Sequence, residues 1–76
     1  MTPMTLIEEV RARRLPSPKT RRAIRLAAGV SQARMAAEME VHRQTLIRWE
    51  TGAIEPQGSN RERYAALLGA LRQVSS

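Results

Sequence analysis

Arg43, Gln44 and Arg48 are side-chain types that can read the edges of nucleic-acid bases. A guanidinium can donate to two acceptors of guanine, and a carboxamide can pair with N6 and N7 of adenine. Each has a plainer alternative, because an arginine can serve only as a phosphate anchor and a glutamine can simply face solvent. What decides their role is the element that carries them.

The stretch around these three residues predicts two short helices. Ser31 is suited to cap a first helix over residues 32–39. A second helix over about residues 43–51 stops at Gly52, a residue that favours the left-handed conformation of a helix end. Little more than residues 40–41 separates the two helices, and such a short turn makes helices meet at a steep angle, as in a helix-turn-helix. In that motif the second helix enters the DNA major groove.

Upstream, the sequence predicts two more helices. A short helix over about residues 6–14 forms most of an N-terminal extension, residues 1–16, which ends at a proline. A helix over about residues 18–28 follows, with Ser17 as its cap and a proline in its first position. Gly29 is the expected left-handed stop.

Downstream, a last helix is predicted from a cap at Ser59 or Asn60 to about Arg72, and residues 73–76 are expected to be loose. There is no strand pattern and no internal repeat. Residues 1–76 are therefore expected to form one all-helical domain, a compact bundle of about five short helices.

The predicted core consists of apolar residues at helical spacing. Its members are Ile24, Ala27, Ala28, Met35, Ala36, Met39, Leu46, Trp49, Tyr64, Leu67, Leu68 and Leu71. Ile54, in the loop after the second helix of the pair, is expected to fold back onto this core. For Trp49 and the methionines the alternative to core packing is contact with a partner.

The charge pattern points to nucleic acid. The net charge is +6 at pH 7, and the sequence pI is about 11.5. No acidic residue lies between Val10 and Ala37, a window rich in arginine. Its members Lys19, Arg21, Arg22 and Arg34 are expected to face phosphates. The alternative is a solvated helix face with no partner.

Other classes of protein fit poorly. The chain has no cysteine and one histidine, so neither a disulfide framework nor a metal site is expected, and no cofactor is expected. It also has no aspartate and no glycine-rich phosphate loop, so an enzyme is not expected. No apolar run is long enough to span a membrane and no signal peptide is recognisable, which favours a cytoplasmic protein.

A set of residues at fixed offsets agrees with one known family. The matching positions are Ile24-Arg25, Gly29 to Gln32, Met35-Ala36, Val41, Thr45-Leu46, Trp49 to Gly52, and Pro56. With these, about residues 20–68 resemble the helix-turn-helix domain of phage repressors and Cro proteins, also called the xenobiotic-response-element family.

The resemblance implies a role for each matching polar residue. Gln32 looks like the glutamine that braces against phosphate and the recognition helix, and its place at a helix N-terminus also favours an anion. Arg25 and Glu50 match a family salt bridge, whose alternative is an exposed pair of little consequence. Base reading falls to Arg43, Gln44 and Arg48. The full set of expected phosphate contacts is Lys19, Arg21, Arg22, Ser31, Gln32, Arg34, His42 and Thr45.

Three positions leave alternatives open. His42 stands at the cap of the second helix, where the family usually has a small hydroxyl residue. It either touches the DNA or is a surface residue with no specific role. Ile47 either meets a thymine methyl or packs on the preceding helix. Glu40 replaces the glycine common in the turn, so a non-glycine residue is expected in the left-handed conformation, at a modest strain cost.

Three functions are compatible with these features. The first is a sequence-specific regulator of transcription on double-stranded DNA, a small phage or prokaryotic repressor that binds an inverted repeat as a homodimer. The second is a protein-interaction module, an antitoxin or an adaptor, with the N-terminal helix as its contact. The third is a nonspecific DNA-architectural factor resembling an excisionase. Many members of the family continue into a further helix, for which residues 73–76 are expected to be too short, and the N-terminal helix is a candidate to replace it.

Overall fold

The computed structural model describes residue 6 and residues 14–75 of the chain. Residues 14–75 contain four helices: α1 (Pro18–Ala27), α2 (Gln32–Met39), α3 (Arg43–Thr51) and α4 (Gly58–Ser75). No strand occurs in this part of the chain, so the all-helical class is confirmed. The predicted N-terminal helix lies outside the described residues except for Leu6 and Arg14, which are both exposed.

The start and stop signals around α1 act as predicted. The Ser17 hydroxyl accepts a hydrogen bond from the Thr20 N–H at 3.4 Å, which satisfies one free donor of the first turn. Pro18 occupies the first helical position, where a missing N–H costs nothing. Gly29 has φ of +72° and ends the helix. Ala28 is the C-terminal cap, so α1 is one residue shorter than predicted.

One apolar core joins all four helices. α2 packs against α3, while α1 packs against both α3 and α4. The buried residues of this core are Ile24, Met35, Ala36, Met39, Leu46, Trp49, Tyr64 and Leu68, all of them predicted. The rings of Trp49 and Tyr64 lie 4.9 Å apart between centroids, a distance typical of favourable aromatic pairs. Trp49 is therefore a core residue, and the alternative that it contacts a partner is excluded.

Two core predictions are wrong. Ala27 is exposed, because the inward face of α1 runs through positions 21, 24, 25 and 28 and buries two arginines. Ile54 is 43% exposed and does not fold back. Pro56, two residues further on, is buried in its place.

The last helix is longer than predicted at both ends. α4 begins at Gly58 and not after a Ser59 or Asn60 cap, since the Gln57 carbonyl already accepts the Arg61 N–H at 3.3 Å. Residues 73–75, predicted to be loose, continue the helix, and the Ser75 hydroxyl donates to the Leu71 carbonyl at 2.8 Å. No helix in the described part of the chain is long and apolar enough to cross a membrane.

Among the described residues, Tyr64 has the one buried side-chain polar atom without a hydrogen-bond partner. That atom is its hydroxyl oxygen. Burial raises the pKa of Tyr64 from 10.0 to about 12, with a further contribution from the Glu50 carboxylate. A buried donor without a partner costs roughly 1–3 kcal/mol.

We expect Tyr64→Phe to raise the free energy of unfolding by about 1 kcal/mol at neutral pH, because it deletes the unpaired hydroxyl and keeps the ring. Urea denaturation of the two chains measures the difference. A loss of stability in the variant would show that the Tyr64 hydroxyl makes a hydrogen bond in the folded protein.

The raised pKa of Tyr64 also predicts a pH dependence. The folded state favours the neutral phenol over the phenolate. The resulting contribution of Tyr64 to the free energy of unfolding is fully present below pH 10.0 and is lost as pH rises through about 12. Because the chain has one tyrosine, phenolate absorbance should titrate near 12 when folded and near 10.0 in urea. Equal values in the two states would contradict the burial.

Candidate nucleic-acid interface

The paired helices α2 and α3 begin and end at residues suited to those positions. Ser31 caps α2, and its hydroxyl accepts the Arg34 N–H at 3.0 Å. His42 caps α3 through its backbone alone, without a side-chain hydrogen bond. Gly52 ends α3 with φ of +82°. The predicted bounds of both helices are confirmed.

The turn between α2 and α3 contains the strained residue that the sequence predicts. Glu40 has φ of +57°, the only positive φ at a non-glycine among the described residues. The turn is held by two backbone hydrogen bonds, from the Glu40 N–H to the Ala37 carbonyl at 3.1 Å and from the Val41 N–H to the Ala36 carbonyl at 3.0 Å. These bonds and the packing of Val41 on the core offset the small cost of the left-handed conformation.

A buried ion pair links α1 to the end of α3. Arg25 donates through Nε to Glu50 Oε2 at 2.6 Å and through Nη2 to Oε1 at 3.0 Å. The Arg25 side chain is 6% exposed and that of Glu50 is 2% exposed. Arg25 Nη1 also donates to the Val30 carbonyl at 2.9 Å. The predicted salt bridge is confirmed, and the alternative of an exposed pair is excluded.

Hydrogen bonds extend from this pair to the protein surface. Gln32 Nε2 donates to Glu50 Oε1 at 3.3 Å. Gln32 Oε1 in turn accepts from Arg43 Nη2 at 3.5 Å, a long contact in an exposed position. Gln32 therefore contacts both the interior carboxylate and the first residue of α3, which agrees with the contact to the recognition helix that the resemblance implied. Its contact with phosphate stays a prediction.

An open groove of about 420 Å³ lies over this network. It is lined by Arg22, Arg25, Ser31, Gln32, Ala33 and Arg43. Arg22 and Arg43 are exposed cations, whereas the charge of Arg25 is paired with Glu50. N–H groups at a helix N-terminus carry partial positive charge and are not used within the helix. The groove is therefore suited to an anion such as a phosphate group.

The exposed side of α3 carries the predicted base-reading residues. Arg43, Gln44 and Arg48 are exposed, while Thr45 and Ile47 are partly buried. The opposite side, formed by Leu46, Trp49 and Glu50, is buried in the core. The burial pattern thus fixes which side of α3 is available to a ligand.

The remaining predicted phosphate contacts occupy different environments. Lys19 and Arg22 are exposed on α1, and Arg22 lines the groove. Arg34 pairs with Glu38 one turn along α2 at 3.0 Å, with both side chains more than half exposed, so its charge is partly neutralised. These assignments stay predictions.

Arg21 does not lie on the surface where the sequence placed it. It is 4% exposed, and each nitrogen of its guanidinium donates to a partner within the protein. It donates to the Pro16 carbonyl at 2.7 Å, to the Trp49 carbonyl at 2.9 Å and to the Glu55 carboxylate at 2.8 Å. The expectation that Arg21 contacts phosphate is wrong, because its hydrogen-bonding groups already have partners.

Glu55 is the contact residue that sequence reasoning missed. It lies in the loop between α3 and α4 and forms a two-point ion pair with Arg21. The two residues are 34 positions apart, and neither helical spacing nor the family pattern connects them. Only the fold brings them together.

Comparison with known proteins agrees with this geometry. A family model of the helix-turn-helix domain matches residues 22–71, which include the groove's six lining residues and all of α3. The chain belongs to the helix-turn-helix family of the Cro/C1 type. It is a DNA-binding helix-turn-helix protein, and its partner is double-stranded DNA. Neither the curated proteins nor the solved structures contain a significant match.

We expect Glu50→Gln to lower the free energy of unfolding by about 3 kcal/mol, because it leaves the Arg25 charge buried without a counter-charge. Glu38→Gln is the matched control. It breaks an exposed ion pair on α2 and should cost less than about 0.5 kcal/mol. Urea unfolding of the three chains measures both effects, and equal losses in the two variants would contradict a special role for the buried pair.

Proposed function

We propose that this chain is a sequence-specific regulator of transcription, a small phage or prokaryotic repressor that reads the major groove with α3. The observation that carries the proposal is the arginine-lined groove over the first turn of α2, which adjoins the exposed side of α3. One surface thus offers a place for the DNA backbone next to a helix with base-reading side chains.

The two parts of this surface contact different parts of the DNA. Arg22, Gln32 and the first turn of α2 hold a phosphate, which fixes the position of the domain but carries no sequence information. Arg43, Gln44 and Arg48 contact base edges, where Arg favours guanine and Gln favours adenine. Gln32 joins the two parts, because it contacts Arg43 directly.

Repression would follow from occupancy. A chain bound across a promoter blocks access for the polymerase. Two copies on an inverted repeat would place their α3 helices one turn of DNA apart, about 34 Å. The N-terminal extension is a candidate for the contact between the copies, or with a protein partner.

Selection from a random library of DNA duplexes, followed by sizing of the bound complex, tests this proposal. It predicts a single enriched motif arranged as an inverted repeat and bound by two copies. Recovery of no motif, with equal affinity for random duplexes at physiological salt, would favour an architectural DNA-binding protein instead.

We expect Arg43→Ala to weaken binding to the selected site by roughly 1–3 kcal/mol and to relax the preference at one base, because it removes a two-point contact. Arg72→Ala is the control for lost charge, since Arg72 is exposed near the end of α4 and far from α3 in the chain. If both variants lose affinity equally and keep the same base preference, the reading role of Arg43 is wrong.

Arg22→Ala tests the phosphate role separately. It should weaken binding to all sequences alike and reduce the slope of log affinity against log salt by about 1. Titrations at several salt concentrations on selected and scrambled duplexes measure both quantities. A changed base preference would move Arg22 from the phosphate set to the base-reading set.

A further inference from the structure

A second buried arginine connects α1 to the loop that leaves the proposed reading helix. We propose that Arg21 is a positioning residue for DNA binding, which cancels the charge of the Glu55 carboxylate near the DNA and fixes residues 52–57 against α1. This inference rests on the proposed function. It concerns residues outside the groove and outside the reading side of α3.

Every nitrogen of the Arg21 guanidinium has a hydrogen-bond partner. Nε donates to the Pro16 carbonyl at 2.7 Å, Nη1 donates to the Trp49 carbonyl at 2.9 Å, and Nη1 and Nη2 donate to the Glu55 carboxylate at 3.3 and 2.8 Å. We call this arrangement the Arg21 clamp. One planar guanidinium thus joins the segment before α1, the last turn of α3 and the loop beyond it.

The bond to Trp49 stabilises the end of α3. The last four carbonyls of a helix have no partner within the helix, and the carbonyl of Trp49 is one of these. A positive charge at this end also complements the helix dipole. Arg21 therefore acts as a C-terminal cap supplied by a different helix.

A close approach of Gly52 to α1 constrains the same loop independently. Gly52 has φ of +82°, and a Cβ atom at this position would lie 3.2 Å from the Pro18 side chain. The loop therefore passes closely over the first turn of α1, beside Arg21. Pro56 is buried further along, so three points hold residues 52–56.

The negative charge of Glu55 is the reason why the Arg21 clamp affects DNA binding. Glu55 is the only acidic residue between the end of α3 and the start of α4. Its side chain is 44% exposed, although its two oxygens accept from Arg21. A carboxylate released from Arg21 at the end of the reading helix would repel DNA phosphates within about 10 Å at about 0.1 M salt. Arg21 cancels that charge.

A double-variant cycle separates this role from a general loss of stability. At about 0.1 M salt, Arg21→Met should weaken binding to the selected site about fivefold or more, because Glu55 is released. Glu55→Gln alone should tighten binding slightly. The double variant should recover most of the lost affinity, since no carboxylate remains to repel the DNA.

Two further readouts distinguish charge from stability. The deficit of Arg21→Met should shrink as salt is raised, because added salt screens the repulsion. Leu67→Ala, a partly buried position on α4, is the control for lost packing. It should lower the unfolding midpoint and leave the affinity of the folded chain unchanged.

The result that overturns the proposal is a double variant that binds as weakly as Arg21→Met, with a deficit that salt does not change. If Arg21→Met does not fold, Arg21→Gln replaces it, because a neutral carboxamide can still donate hydrogen bonds but leaves the charge of Glu55 uncancelled.

Amide hydrogen exchange tests the clamp without DNA. The Ile54 N–H donates to the Arg48 carbonyl at 3.4 Å, so its exchange reports on how the loop is held. Exchange at Ile54 should speed up in the Arg21 variant more than exchange at Leu46 in the core. Unchanged exchange would contradict the clamp even if DNA binding holds. If the native chain binds no duplex, the proposed function fails while exchange still decides whether Arg21 holds the loop.

Discussion

The placement of α3 depends on the buried ion pair between Arg25 and Glu50. Burying two charges is costly, and an apolar pair of similar size often gives equal or greater stability. The ion pair adds a preferred orientation of α3 relative to α1. Glu50 accepts from both Arg25 and Gln32, and these bonds tie the end of α3 to α1 and to the start of α2. The pair thus helps to fix the orientation of α3, which apolar packing alone specifies less sharply.

Arg21 repeats this arrangement one turn earlier on α1. Each of the two arginines binds a glutamate at or beyond the end of α3, and each also binds a backbone carbonyl. The charges of both pairs contribute to the pKa of Tyr64, although burial is the larger cause of its shift. In a domain this small, two ion pairs made by buried arginines do part of the positioning that a larger core would do in a longer chain.

The sequence predicted the helices of the motif well and the buried charges unevenly. The bounds of α2 and α3 followed from local signals at Ser31 and Gly52, and Arg25–Glu50 followed from the family pattern. Arg21 was misplaced because an arginine within a basic run carries no local sign of burial, and its partner Glu55 is distant in the chain. Ile54 was misplaced for a similar reason, since hydrophobicity alone did not distinguish it from Pro56. The role of the N-terminal extension stays a prediction.

The groove over α2 and the exposed side of α3 are expected to meet DNA as one surface. Titration of the isotope-labelled chain with its selected duplex, followed by backbone amide shifts, measures which residues the DNA contacts. We expect the largest shifts at residues 31–34 and 42–48, and small shifts along the second half of α4. Large shifts confined to α4, with residues 42–48 unchanged, would contradict this expectation.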